Sequence, residues 1–141
     1  FRFSIVTLFS SMRTTDNLSK DISYFNAELL RLKQLIQHVK SNPYTLIILD
    51  EILKGTNSKD KLEGSIVFLR EIICHNVAAL IATHDLELAK LEDENKEVFS
   101  NYCFEIALSK DIEYTYRIAK GVAKNLNASF LLKNILDEMR N

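Results

Sequence analysis

The sequence holds no tryptophan, one proline, three glycines and only two cysteines in 141 residues. Each shortage removes a class of explanation. Cys74 and Cys103 are too few for a disulfide-stapled scaffold or a zinc site. Cys74 closes an apolar run and is expected to be a small core residue. With so little Gly and Pro there are no flexible linkers or low-complexity tracts, and each Gly or Pro position carries weight. No apolar run approaches the ~20 residues needed to span a membrane. The net charge is −1, so no global field draws the chain toward nucleic acid. The opening Phe1-Arg2-Phe3-Ser4 lacks the basic-then-apolar order of a secretory signal. The expected location is therefore cytoplasmic. The missing initiator Met leads us to expect a piece of a longer protein.

What is present is an ordinary globular balance, 47% apolar and 26% charged, long enough for one domain with a core. Residues 3–9 are β-branched and aromatic and predict a strand. Phe25, Leu29, Leu32, Ile36 and Val39 recur at helical spacing, and Asn42-Pro43 stops that helix. Residues 45–50 predict a strand, and 51–58 a loop carrying Gly55. Leu62, Ile66, Leu69 and Ile73 mark a second amphipathic helix with Ser58 as its candidate cap. Residues 77–83 predict another apolar strand, and 86–93 a short acidic helix. Residues 98–108 and 112–119 predict an antiparallel hairpin. Gly121 breaks the pattern, and a last helix is expected from Asn127. The order predicts an α/β fold, with a mainly parallel sheet flanked by helices and a C-terminal antiparallel hairpin.

Chemistry concentrates at two strand ends. Leu46, Ile47, Ile48 and Leu49 run without alternation into Asp50 and Glu51. Such a run suits a strand buried on both faces of a parallel sheet. Ligands of such sheets bind beyond the carboxyl ends of the strands, where the two acids fall. Nucleotide hydrolysis needs one group to hold Mg²⁺, often through water, and one to polarise the attacking water. The plainer alternative is a pair of solvated acids opening a loop. The strand of residues 77–83 ends at His84. Adjacent parallel strands joined by one helical crossover place Asp50, Glu51 and His84 on one edge of the sheet.

These segments, taken in order, resemble the MutS family of mismatch-repair ATPases within the ABC-type superfamily. Leu46-Ile-Ile-Leu-Asp-Glu51 resembles its Walker B segment. Gly55-Thr-Asn-Ser58, with Asp60, resembles the Gly-Thr-Ser-rich loop that follows, and Ile81-Ala-Thr-His84 its Ala-Thr-His switch. Met12-Arg-Thr-Thr-Asp-Asn-Leu18 resembles its Arg-containing loop, in which Arg13 and Asp16 would organise the chain. Ser23-Tyr-Phe-Asn-Ala-Glu28 resembles its Ser-Thr-Phe-x-x-Glu helix start. Tyr116-Arg-Ile118 and Gly121 fit its closing strand and turn. Three departures mark a divergent branch. Asn57 replaces the usual Ser, Lys61 stands where most mismatch-recognising members carry Gly, and Ile52-Leu53-Lys54 replaces Leu/Ile-Gly-Arg.

The resemblance implies the C-terminal part of a P-loop ATPase domain. Asp50 would support Mg²⁺ and Glu51 would activate water. His84 would sense the γ-phosphate, and Ser23 would face the nucleotide of a partner subunit. Thr56, Asn57 and Ser58 would contact the dimer partner or the nearby His84. Glu28, one turn into the helix, reads as a surface or first-turn carboxylate. The implied cofactors are ATP and Mg²⁺. The implied partners are a second copy, through the ATPase domains, and DNA, through regions outside this segment. No Gly-x-x-x-x-Gly-Lys-Ser/Thr occurs in the sequence, and in the family that loop lies upstream of the matching region. The isolated segment is therefore expected to bind ATP weakly or not at all. The alternatives are an ABC-type ATPase of another branch, disfavoured by the lack of a Leu-Ser-Gly-Gly-like signature, and a non-hydrolysing dimerisation or regulatory module.

Overall fold

The computed structural model describes residues 6–11, 24–108 and 112–123, with positions 133, 136, 137 and 139. The chain divides into two compact units, Phe1–Leu88 and Ala89–Asn141.

The first unit is the expected α/β arrangement. Strands β1 (Thr7–Ser11), β2 (Thr45–Asp50) and β3 (Val77–Ala82) form a parallel sheet in that order. Helices α1 (Tyr24–Ser41) and α2 (Ser58–Ile72) are the crossovers between them. β2 is central because both of its backbone edges are paired. Thr45, Ile47 and Leu49 are buried, while Leu46 and Ile48 between them are half-buried. The unbroken apolar run suggested equal burial of both faces; one face is closed and the other partly open. Register places Leu8 beside Leu46 and Leu80 beside Ile48 on that open face. Leu8 and Leu80 are 59% and 63% exposed.

The helix stripes are rotated by one position from their expected lines. In α1, Leu35 and Val39 are buried and Phe25, Leu32 and Ile36 half-buried, but Leu29 is exposed. Glu28 is half-buried instead, for a reason that lies in the loop it meets. α1 runs beside β1: Arg31 Nη2 donates to the Ser10 carbonyl at 2.7 Å, and its guanidinium carbon lies 4.5 Å from the Phe9 ring centre. The helix ends where the Asn42 backbone and side-chain N–H groups both donate to the His38 carbonyl, each at 2.9 Å. Pro43, with no N–H, cannot continue it. In α2, Ser65, Phe68, Leu69 and Ile72 are buried, so Ile72 rather than Ile73 carries the core position.

Two local expectations are corrected. The cap of α2 is Asn57, not Ser58: Asn57 Oδ1 accepts the Asp60 N–H at 3.0 Å, and Ser58 is already helical. Asn reaches the third helical N–H as well as Ser does. Cys74 is exposed rather than part of the core. It lies past the last turn of α2, and its thiol donates to the Arg70 carbonyl at 3.3 Å.

A 3₁₀ turn (Leu88–Lys90), which begins on the last residue of the first unit, leads into the short acidic helix α3 (Leu91–Glu94) of the second. Strands β4 (Tyr102–Leu108) and β5 (Ile112–Lys120) make the antiparallel hairpin. β4 starts later than the expected residue 98, because Val98 and Phe99 donate their N–H groups to the Asn95 carbonyl in a turn. The register shifts between Phe104 and Ile106, opposite Tyr116, whose φ of 52° is left-handed. Asn101 ties α3 to the hairpin: its side-chain amide donates to the Ala89 carbonyl at 2.7 Å, its N–H to Glu92 Oε2 at 3.2 Å, and its carbonyl accepts the Gly121 N–H at 2.8 Å. Of the helix expected from Asn127, Lys133, Leu136 and Asp137 are helical, and the remainder lies outside the described residues. Among the described residues no helix is long and apolar enough to cross a membrane.

Candidate active site

The site grows from the carboxyl ends of β2 and β3. Asp50 is the last residue of β2 and pairs in register with Ala82, the last of β3. The Glu51 N–H then donates to the Ala82 carbonyl at 2.9 Å, adding one rung to the ladder. At that residue the backbone turns left-handed, with φ 62°. For a residue with a Cβ this costs about 1–2 kcal/mol. The turn takes the chain out of the strand immediately after the two acids.

Glu51 is only 17% exposed, and one of its oxygens has two cationic or cationisable neighbours. Lys61 Nζ, from the first turns of α2, lies 3.5 Å from Oε1, and His84 Nε2 lies 3.8 Å from the same atom. Lys61 is as enclosed as Glu51, whereas His84 is 95% exposed. The His84 loop is shaped by two side-chain-to-backbone bonds. Thr83 Oγ1 accepts the Asp85 N–H and Asp85 Oδ1 accepts the Glu87 N–H, both at 3.0 Å. Such bonds stabilise turns where no strand or helix continues. Ser58, Lys61, His84, Asp85, Leu86 and Glu87 line an open depression of about 370 Å³. Its walls carry a lysine, an imidazole and a hydroxyl as donors and two carboxylates, Asp85 and Glu87, as acceptors.

Asp50 has a different environment. Its Oδ2 lies 3.5 Å from Lys54 Nζ, and its side chain is 40% exposed. Among the described residues no group of three His, Cys, Asp or Glu side chains could hold a metal. Asp50 thus offers one accessible carboxylate of the hard-oxygen type that Mg²⁺ accepts, directly or through water.

The loop between the acids and α2 is anchored from both sides. Ile52 and Leu53 are buried, and Leu53 is again left-handed with φ 56°. Leu53 packs toward α2 at Gly64, where a Cβ would come within 2.5 Å of Leu53 Cδ1. From α1, the Glu28 carboxylate accepts two consecutive N–H groups, Lys54 on Oε1 and Gly55 on Oε2, each at 2.9 Å. Gly55 permits this approach, because a Cβ there would sit 3.0 Å from the Phe25 Cα.

The residues expected from the sequence sort plainly. Asp50, Glu51 and His84 meet at one sheet edge, and Ser58 shares the depression with His84. Thr56 is half-buried, and Asn57 is exposed with its side chain engaged in capping. Ser23, Arg13 and Asp16 lie outside the described residues. Two residues gained importance. Lys61 entered the sequence reading only as a departure from a family pattern, and Glu28 as the last residue of a family motif, read as a surface or first-turn carboxylate. Glu28 sits four residues before the half-buried Leu32, but Leu29, three residues before it, fits helical spacing equally well, so spacing did not single out Glu28.

A family model described as MutS domain V matches residues 2–132. Similar proteins include the DNA mismatch repair protein MutS of Clostridium botulinum, 34% identical over 121 residues, covering 82% of this chain and 13% of that protein. The DNA mismatch repair protein MutS of Thermotoga neapolitana is 27% identical over 116 residues, covering 82% of this chain and 14% of the relative. That of Clostridium tetani is 33% identical over 121 residues, with shares of 82% and 13%. The chain thus spans about one-seventh of the curated relatives it matches. With the match running over nearly its whole length, the chain belongs to the MutS domain V family.

Proposed function

We propose that this segment supplies the hydrolytic part of an ATPase site in a MutS-like DNA mismatch repair protein. The observation that carries the reading is the convergence of Lys61 and His84 on one carboxylate oxygen of Glu51 at the ends of β2 and β3, beside Asp50. In this reading Glu51 orients or deprotonates the attacking water. His84, fully accessible across the depression, meets the γ-phosphate or that water. Asp50 would hold Mg²⁺, directly or through water, and the ion when bound would supply charge stabilisation for phosphoryl transfer. The phosphate-binding loop comes from sequence upstream of the matching region. Ser23, immediately before α1, faces the nucleotide of a second subunit, and Thr56, Asn57 and Ser58 contact that subunit. Turnover then requires the dimer, and DNA is bound by regions outside this segment.

Glu51→Gln in the full-length protein tests the assignment. The amide keeps the shape and loses the base, so turnover falls by about 10²–10⁴-fold while ATP binding is retained. Normal hydrolysis by Glu51→Gln removes Glu51 from the role. A second reading, a dimerisation module without hydrolysis, draws on Lys61, whose ammonium already occupies the Glu51 carboxylate. An intact full-length protein with no ATPase activity, with or without DNA, favours that reading.

A further inference from the structure

The Glu28 contacts form a joint between two parts of the site that the sequence keeps apart. Glu28 lies one turn into α1, and its two oxygens each accept one backbone N–H from the loop that follows the acids. Charge-assisted bonds of this kind are roughly twice as strong as neutral ones, and a two-point contact fixes orientation as well as distance. The joint is tight: a Cβ on Gly55 would lie 3.0 Å from both the Phe25 Cα and Tyr24 Cδ1. On its other side the loop holds the acids. Lys54, whose N–H Glu28 receives, pairs through its ammonium with Asp50, and Leu53 packs toward α2, which carries Lys61 to Glu51.

We infer that Glu28 is a positioning residue for ATP turnover, fixing the loop after Asp50-Glu51 against the first turn of α1. The inference rests on the proposed ATPase reading. In that reading the acids serve one nucleotide and the start of α1 faces the partner's. Glu28 makes the two a single rigid body, so a displacement at one is felt at the other. Neither oxygen of Glu28 needs to reach ATP for this role. The phosphate cradle is built elsewhere, so Glu28 influences the chemical step more than nucleotide affinity.

The test is steady-state ATPase kinetics of the full-length protein carrying Glu28→Ala or Glu28→Gln, beside wild type and Glu51→Gln, with thermal unfolding of each. Small misplacements of catalytic groups reach about 10²-fold in rate. Glu28→Ala is expected to lower kcat by about ten- to a hundredfold with KM changed by less than about threefold. Glu28→Gln retains one carbonyl acceptor and is expected between Ala and wild type, with an unfolding temperature close to wild type. A residue that only supports the fold would lower the unfolding temperature and the active fraction and leave kcat per active site unchanged. Where Glu28→Ala does not fold, Glu28→Gln decides. Unchanged kcat in a folded Glu28→Gln, in a wild-type protein whose activity depends on Glu51, overturns the inference alone. Absence of Glu51-dependent hydrolysis in the wild type overturns the reading beneath it.

Discussion

Asn57 offers a separable test of how the loop after the acids is built. Its side-chain oxygen accepts the Asp60 N–H at 3.0 Å, and its amide N–H donates back to the Asp60 carboxylate. The pair satisfies one of the orphan donors at the start of α2 and orders the turn that carries Lys61. Asn57→Ala removes both bonds. Loss of the cap costs about 1 kcal/mol, and the exposed return bond adds a few tenths. The total of about 1–1.5 kcal/mol raises the population of the locally open first turn about five- to tenfold. Hydrogen–deuterium exchange of the full-length protein reads this directly, in a peptide covering residues 57–64. Its slow amides should exchange about five- to tenfold faster in Asn57→Ala. Asn57→Ser keeps an acceptor of equal rank and should stay within about twofold of wild type. Wild-type exchange in Asn57→Ala, or equal acceleration in Asn57→Ser, would refute the capping argument. Either result would return Asn57 to the role of a loop contact.

Other perturbations read different layers. Leu35 is fully buried on α1, so Leu35→Ala should destabilise by about 2–5 kcal/mol, seen as a lower urea midpoint. Leu30, exposed on the same helix, should cost less than about 1 kcal/mol when truncated. Lys61→Met should destabilise more than Lys59→Met, since Lys61 and Glu51 are mostly enclosed while Lys59 and Glu63 are 83% and 65% exposed and 3.9 Å apart. In a Glu51→Gln background the Lys61→Met effect should shrink; an undiminished effect denies the pair. Gly55→Ala should destabilise by about 1–3 kcal/mol, because the added methyl meets the α1 backbone at Phe25 as well as the Tyr24 ring. A neutral result in thermal unfolding would show that α1 and the loop separate freely.

Much of the fold was legible because apolar periodicity and strand-end chemistry are local. The residues of β2 and β3 announce apolar strands, of which only β2 has buried positions, and their parallel register follows from the helix between them. That was enough to bring Asp50, Glu51 and His84 to one edge before any coordinates. The errors have local causes too. Leu29 and Leu30 are both apolar, and periodicity alone cannot say that Glu28 belongs to the inner line when its partners are backbone N–H groups 26 and 27 residues away. Cys74 follows an apolar run, yet the helix has ended by Ile72. Ser58 and Asn57 are both good caps, and one residue of helix phase separates them. Lys61 shows a deeper limit. An ammonium reaching back ten residues to Glu51 depends on how α2 enters after a left-handed turn, and no spacing rule encodes that turn.

That turn has a bearing on how this chain changes over generations. At position 51 the backbone is left-handed, a conformation that Gly and Asn adopt with less strain than Glu. Backbone strain alone would therefore push this position away from glutamate, while the enclosed pair with Lys61 opposes that push. A lineage that stopped needing the carboxylate would meet little resistance in losing it once Lys61 had also been replaced. Position 51 is thus a place where the genetic record can be read for use: Glu persists where the acid works, and Asn or Gly marks branches in which it has retired.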